Sequence, residues 1–422
     1  MKIKTKLTNK LLAFMSALLL FTVSVNAQNK ATVPSQGDST SFKQASTSNI
    51  PAVITNLPLN EWQNISLNTI KDVDPCPVSR CAWSAVEGLQ GVVNDWTGGV
   101  YASKEGALGG LVYYGGGHNG YYGNEVYFFD LATLTWERRG EPTEGRIPKD
   151  PRNFEVDSQC RFWDGKPLPT HTYDSVVYDP LQNLFWVTKI RDAPSDPPGP
   201  PVWCSSTWPA AFSLDTNTWS DGGTSPVRSQ FSGTAWDAKR KLIWVVDHAE
   251  PEVHSFDPVL DVWQTHGGGF PLNLDFTAAI DPVRDLLVFT NFISDTKKVV
   301  VVDLNSPSDD WFSVNTTGDN SIEEYAQIGF EWVPQLGGFI AWKSGLDLFL
   351  LTPPASDPRN NPWVWTRISA TGVTPDVPHR GPYSKFQYVP ELGIALVASS
   401  VTGSVSAIRL VETDLIYANG FE

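Results

Sequence analysis

GGVYASKEGALGGLVYYGGG (98–117), followed by EVYFFDLATLTWERR (125–139), is the stretch that decides the fold. The first segment reads as an apolar strand, a polar turn and a second apolar strand. The second reads as a third strand, a turn and a fourth strand bearing Trp136. Runs this short, rich in Val, Tyr, Phe and Trp and bounded by Gly and polar residues, favour strands over helices.

The first half of this unit returns five times: DSVVYDPLQNLFWVTK (174–189), GTAWDAKRKLIWVVD (233–247), TAAIDPVRDLLVFTN (277–291), IGFEWVPQLGGFIAWKS (328–344) and KFQYVPELGIALVAS (385–399). An Asp-Pro or Val-Pro at several of the turns fixes φ and ends the first strand. The second half returns at 210–222, 252–266, 299–314 and 349–369, carrying Trp219, Trp263, Trp311 and Trp365. Its last copy, VSAIRLVETDL (405–415), lacks the Trp strand. EWQNIS (61–66), with Trp62, supplies that strand from the other end of the chain. The chain is therefore expected to be an all-β propeller of about six four-stranded blades, with seven possible, closed by an N-terminal strand over residues 59–415. Trp at one fixed place in each repeat is read as packing between blades. Trp83, Trp96, Trp163, Trp203 and Trp208 fall outside that register and are candidates for exposed stacking.

The ends read differently. Lys2, Lys4, Lys6 and Lys10, the apolar run Leu11 to Val25 and the small residues before Ala27 have the form of a secretory signal, residues 1–27. Residues 28–58, rich in Ser, Thr, Gln and Asn, read as a flexible leader. The mature protein is expected to be secreted after cleavage near Ala27, with no membrane span. Removing residues 1–27 takes away four lysines and no acids, moving the formal charge from −15 to −19. That balance argues against general nucleic-acid binding. Four cysteines in an oxidising compartment suggest disulfides. Three pairings are open, and Cys76–Cys81 with Cys160–Cys204 is favoured. Residues 416–422, ending Tyr417-Ala418-Asn419-Gly420-Phe421-Glu422, resemble a tail of secreted bacterial proteins; they are either a sorting signal or a frayed end.

The Gly115-Gly116-Gly117 run, the Asn124-Glu125-Val126-Tyr127 strand and Leu131 to Trp136 resemble kelch-type propellers of the galactose oxidase superfamily. Blade 1 fits well, and later blades lose the glycines.

In an antiparallel blade, the loop between strands two and three shares a face with the loop joining consecutive blades. In an acidic protein, that face gathers cations and proton-transfer groups. The second-to-third loops hold His118 and Tyr122, Lys189 and Arg191, His248, Asn291, and Lys343. The inter-blade loops hold His171 and Tyr173, Arg228, Asp275, Tyr325, and His379 with Arg380. Some of these side chains can equally lock blade to blade by bonding to backbone. Their joint placement suits a carboxylated or sulfated ligand, such as an acidic polysaccharide.

The set is similar to that of secreted propeller-fold polysaccharide lyases, which are typically seven-bladed. That resemblance implies β-elimination, with His118 or His171 as base, Tyr173 or Tyr122 as acid and Arg228 or Arg191 neutralising the uronate. Lys189, His248, Asn291, Tyr325, Lys343 and Arg380 would bind substrate. The alternative is a non-catalytic carbohydrate- or protein-binding module. No nucleotide, flavin or haem motif appears, so no cofactor is expected. No metal site is expected either, since His118, His171 and His248 on separate blades are a weak metal signal. A propeller of this size is stable alone, so a monomer is expected.

Overall fold

Six of the repeat turns are built the same way. A carboxylate at the end of one strand accepts from the backbone N–H two residues on, which pre-forms the turn before the next strand pairs. Asp130, Asp179, Asp237, Asp257, Asp281 and Asp303 do this to Ala132, Leu181, Lys239, Val259, Val283 and Asn305, at 2.7–2.9 Å. These hairpins assemble into the blades of the computed structural model. The structure describes residues 50–74, 87–117, 120–143, 156–192, 204–270, 272, 274–292, 298–308 and 311–412.

Blade 1 is Gly99–Ala102, Gly110–Tyr113, Val126–Asp130 and Thr135–Gly140, in that spatial order. Blades 2, 3 and 4 repeat the order from innermost strands Val176–Asp179, Ser232–Asp237 and Ala278–Asp281. Blade 5 starts at Gly329–Val333 and carries a short parallel outer strand, Thr316–Gly318. Blade 6 starts at Gln387–Val389 and takes Glu61–Asn64 as its fourth strand. Trp62 stands opposite Ile408, and Asn64 opposite Ser406.

The innermost strands pack on one another in chain order, and Gln387–Val389 returns to Gly99–Ala102. The fold is a six-bladed propeller, which settles the choice between six and seven. Among the described residues no helix is long and apolar enough to cross a membrane.

Two of the repeated Trp residues pack against the preceding blade, whereas Trp136 lies 5.3 Å from Phe129 and Trp263 4.5 Å from Phe256 within their own blades. Trp62 is fully buried, its Nε1 donates to Leu346 O at 2.8 Å, and its ring lies 5.7 Å from Trp342 of blade 5. Trp219 of blade 2 lies 4.9 Å from Tyr114, which follows the second strand of blade 1. Residues 50–58, assigned by composition to a flexible leader, pack on blade 6. Ile54 and Leu57 are buried, and Arg409 donates to Ile54 O and Leu57 O at 2.6 and 2.9 Å. Composition missed this contact because the polar residues 28–49 outweigh the short apolar run from Ile50 to Leu57 that follows them. Cys160 and Cys204 form a disulfide. Cys76 and Cys81, residues 1–27 and residues 416–422 lie outside the described residues.

Trp62→Ala removes a fully buried indole from the closing strand and should cost about 3–5 kcal/mol in denaturant unfolding. Trp163→Ala, at a side chain 50% exposed, should change stability by less than about 0.5 kcal/mol.

Candidate functional site

Six chain segments enter the innermost strands from one end of the propeller. In five of them a residue other than glycine adopts left-handed backbone: Trp96 (φ 47°), Tyr173 (48°), Asp275 (66°), Gln327 (59°) and Tyr383 (43°). Each stands two to four residues ahead of its strand. Bulky residues rarely take this conformation, which costs on the order of 1–3 kcal/mol each and concentrates at functional sites. The geometry turns these side chains toward one another around the axis.

They meet as a cup. The Arg380 guanidinium lies 4.2 Å over the Trp96 ring, and Trp96 is 4.8 Å from His171. Tyr173 lies 5.9 Å from His171, 5.8 Å from Tyr383 and 4.5 Å from Phe231, and Phe231 lies 5.8 Å from His248. Tyr383 donates its hydroxyl to Asp275 Oδ1, and Gln327 Nε2 donates to Asp275 Oδ2 at 3.0 Å. A Cβ added at Gly381 would stand 3.0 Å from Lys343 Nζ, and Asp275 lies within electrostatic reach of that ammonium. Trp96, Phe231, His248, Asp275, Gln327, Lys343 and Arg380 are half-buried and face solvent. His171, Tyr173 and Tyr383 lie beneath them, at 4%, 6% and 0% exposed.

The glycine run in blade 1 makes room for this wall. A Cβ on Gly117 would stand 2.7 Å from Thr170 Cα and 2.9 Å from His171 N, and Gly117 itself has φ 49°. Gly116 N donates to Thr170 O at 3.2 Å, and Tyr173 N to Trp96 O at 2.6 Å. Thr170 Oγ1 donates to Arg191 O at 2.6 Å. The loop carrying His171 and Tyr173 is thus held on both sides by backbone.

Burial sets the protonation of the cup. It pushes the Tyr173 hydroxyl up, with Asp275 adding to the shift. It pushes the Tyr383 hydroxyl well up too, again aided by Asp275. His248 is lowered by burial against the pull of Asp247 and Asp275, so its ring is neutral near pH 7. Burial lowers Lys343 to about 8, although Asp275 opposes the shift. The cup therefore offers Arg380, a lysine that titrates near neutrality, neutral imidazole and protonated phenols.

Beside the cup, Lys189, Arg191 and Arg228 line a cavity of about 400 Å³ with Cys204 and Ser205. Lys189 Nζ donates to Ser206 O at 2.6 Å, and burial lowers it to about 8. Arg228 donates its backbone N–H to Asp247 Oδ2 at 2.6 Å, and its guanidinium pairs with Glu250.

Of the residues expected from sequence, His171, Tyr173, His248, Lys343 and Arg380 come together in the cup. Lys189, Arg191 and Arg228 gather at its rim. Tyr122 is 6% exposed within the apolar core of blade 1. Asn291 is buried at the end of its strand, paired in register with Lys298. Tyr325 is 49% exposed, just after the short helix Asn320–Glu324. His118 lies outside the described residues, as do Trp83 and Trp203. Trp208 lies 5.0 Å beneath the Arg161 guanidinium, away from the cup residues.

Sequence reading missed Phe231, Gln327 and Tyr383. Aligning the repeats on the first residue of each innermost strand, and looking two to four residues upstream, would have found Gln327 and Tyr383.

No family model matches the chain. No curated protein matches it. The chain is similar to one in the solved structure titled "Crystal structure of Nidogen/Laminin Complex", at 12% identity and a TM-score of 0.40, covering 68% of this chain and 87% of that one. At that level the likeness says nothing of what this chain binds, and the fold stands on its own strand order.

Gly117→Ala should destabilise the protein by more than about 1 kcal/mol, because both its positive φ and the passing backbone oppose a Cβ. It should also alter the near-ultraviolet circular dichroism of the Trp96–Tyr173 cluster. Gly165→Ala, with open space around it at φ 80°, should share only the backbone cost.

Proposed function

We propose that the protein is a secreted propeller that binds an anionic polysaccharide in the axial cup and cleaves it by β-elimination. The observation that carries this reading is the meeting of Arg380 and Lys343 with the rings of Trp96, His171, Tyr173, Phe231 and His248 at one end of the axis. Aromatic faces stack on sugar rings, and the two cations take the uronate carboxylate.

Neutralising that carboxylate makes the adjacent C–H more acidic. His171 takes this proton as the carbon–carbon double bond forms and the bond to the glycosidic oxygen breaks. Tyr173, kept protonated by burial, gives its proton to the departing oxygen. The basic rim of Lys189, Arg191 and Arg228 would hold a neighbouring anionic unit. Secretion is part of the same reading. It is supported by the form of residues 1–27 and by the Cys160–Cys204 disulfide.

A second reading is a binding module without chemistry. The low exposure of His171 and Tyr173 favours it, since a ligand in the cup meets Arg380, Lys343 and Trp96 before either proton-transfer group.

Oligouronates incubated with the mature protein should give the ultraviolet absorbance of an unsaturated uronate. His171→Ala should lower that rate by roughly 10²-fold or more while leaving affinity nearly unchanged. Affinity itself should fall as pH rises through about 8, where Lys343 loses its proton. Lys343→Arg, always charged, should shrink that limb to the part set by Lys189 at the rim, which burial also lowers to about 8. Binding without product in the wild type would establish the second reading.

A further inference from the structure

The six innermost strands enclose a void of about 390 Å³ on the axis. Its floor is Asp174 and Ser384, the residues that follow Tyr173 and Tyr383 of the cup. Its mouth lies between the turns at Pro180, Pro282 and Pro390, at the opposite end of the propeller. The two ends are chemically unlike. The cup gathers cations, whereas the channel holds carboxyl groups.

Asp174 is 2% exposed, and its Oδ2 crosses from blade 2 to accept from Ala278 N of blade 4 at 2.8 Å. Glu331, from blade 5, accepts from Gln387 Nε2 and lies within electrostatic reach of Asp174. Burial pushes both carboxyl groups well up, and Asp174 adds to the shift of Glu331, so a cation seated between them would offset the cost of holding their charge. Ser384, nine-tenths buried in the channel wall, lies beside the Asp174 carboxyl, yet its Oγ makes no hydrogen bond of good geometry. A buried hydroxyl left this way costs free energy that an occupant would recover.

The rest of the wall says what kind of occupant fits. Tyr101, Tyr178, Trp236 and Trp332 line the void from four different blades, among Val, Ala and Ile side chains. Such a wall desolvates an apolar body, and aromatic faces attract positive charge. The void is far larger than a bare metal ion. Among the described residues no three His, Cys, Asp or Glu side chains gather to hold one.

We propose that this channel binds an organic ammonium ion, its charge at Asp174 and Glu331 and its apolar body against the four aromatic rings. The occupant enters from the face opposite the cup, so the site is separate from polysaccharide binding.

Calorimetric titration of the mature protein tests this with choline and n-butylammonium. 3,3-Dimethylbutanol and n-butanol are the uncharged counterparts, and calcium is the inorganic cation. The ammonium ions should bind and the alcohols should not. Glu331→Gln should weaken ammonium binding by roughly tenfold or more, and Trp236→Leu, at the half-buried mouth, by roughly threefold to tenfold. Trp236→Leu keeps the test open if Glu331→Gln does not fold. The proposal is overturned if the alcohols bind as well as the ammonium ions, or if no ammonium ion binds. It is also overturned if calcium alone gives a Glu331-dependent signal. Ammonium binding that survives Glu331→Gln but is lost in Asp275→Asn would place it in the cup instead and would equally overturn it.

Discussion

Closure of the ring is the constraint on which everything else depends. Four-stranded blades arranged around an axis leave one blade short of a strand unless the two ends of the chain meet. Here Glu61–Asn64 pairs with Val405–Arg409, and Trp62 enters the core between blades 5 and 6. The pairing ties residues more than 340 positions apart, Trp62 to Ile408 and Asn64 to Ser406, and the bond from Ser66 N to Ser404 Oγ extends it. A propeller left open there would expose a long strand edge and lose the circumferential packing that positions every innermost strand.

Once six blades close, the innermost strands are crowded. The segments that feed them must turn sharply, and five do so through left-handed residues that are not glycine. Closure thus maintains the backbone strain that forms the cup. The same crowding carries Asp174 across the axis to blade 4. That carboxyl separates a cationic, aromatic cup from an acidic, aromatic channel, although the two are adjacent along one axis. An overall formal charge of −15 conceals this division, because charge summed over a chain says nothing of which loops meet.

The fold was legible because it repeats. Six copies of one strand pattern, each with its turn residues, leave little freedom, and the missing Trp strand at the end predicts the closing strand at the start. The face was legible from antiparallel alternation, and His171, Tyr173, His248, Lys343 and Arg380, all assigned to it, lie near one another. Its depth was not. Tyr122 and Tyr173 look alike in sequence, yet Tyr122 turns into the blade 1 core, while left-handed backbone swings Tyr173 to the axis. Phe231 and Tyr383 look like strand-flanking aromatics until the ring closes and brings them near Tyr173. The acid pair in the channel was invisible for the same reason. Asp174 and Glu331 are 157 positions apart, and only the ring brings them together.

The central claim is that the axial cup receives an anionic saccharide. A crystal structure of the mature protein with a short oligouronate tests it most directly. The account predicts a sugar ring against Trp96 with its carboxylate between Arg380 and Lys343. A ligand seated elsewhere, such as on the exposed Trp163 or along the outer strands, would contradict it.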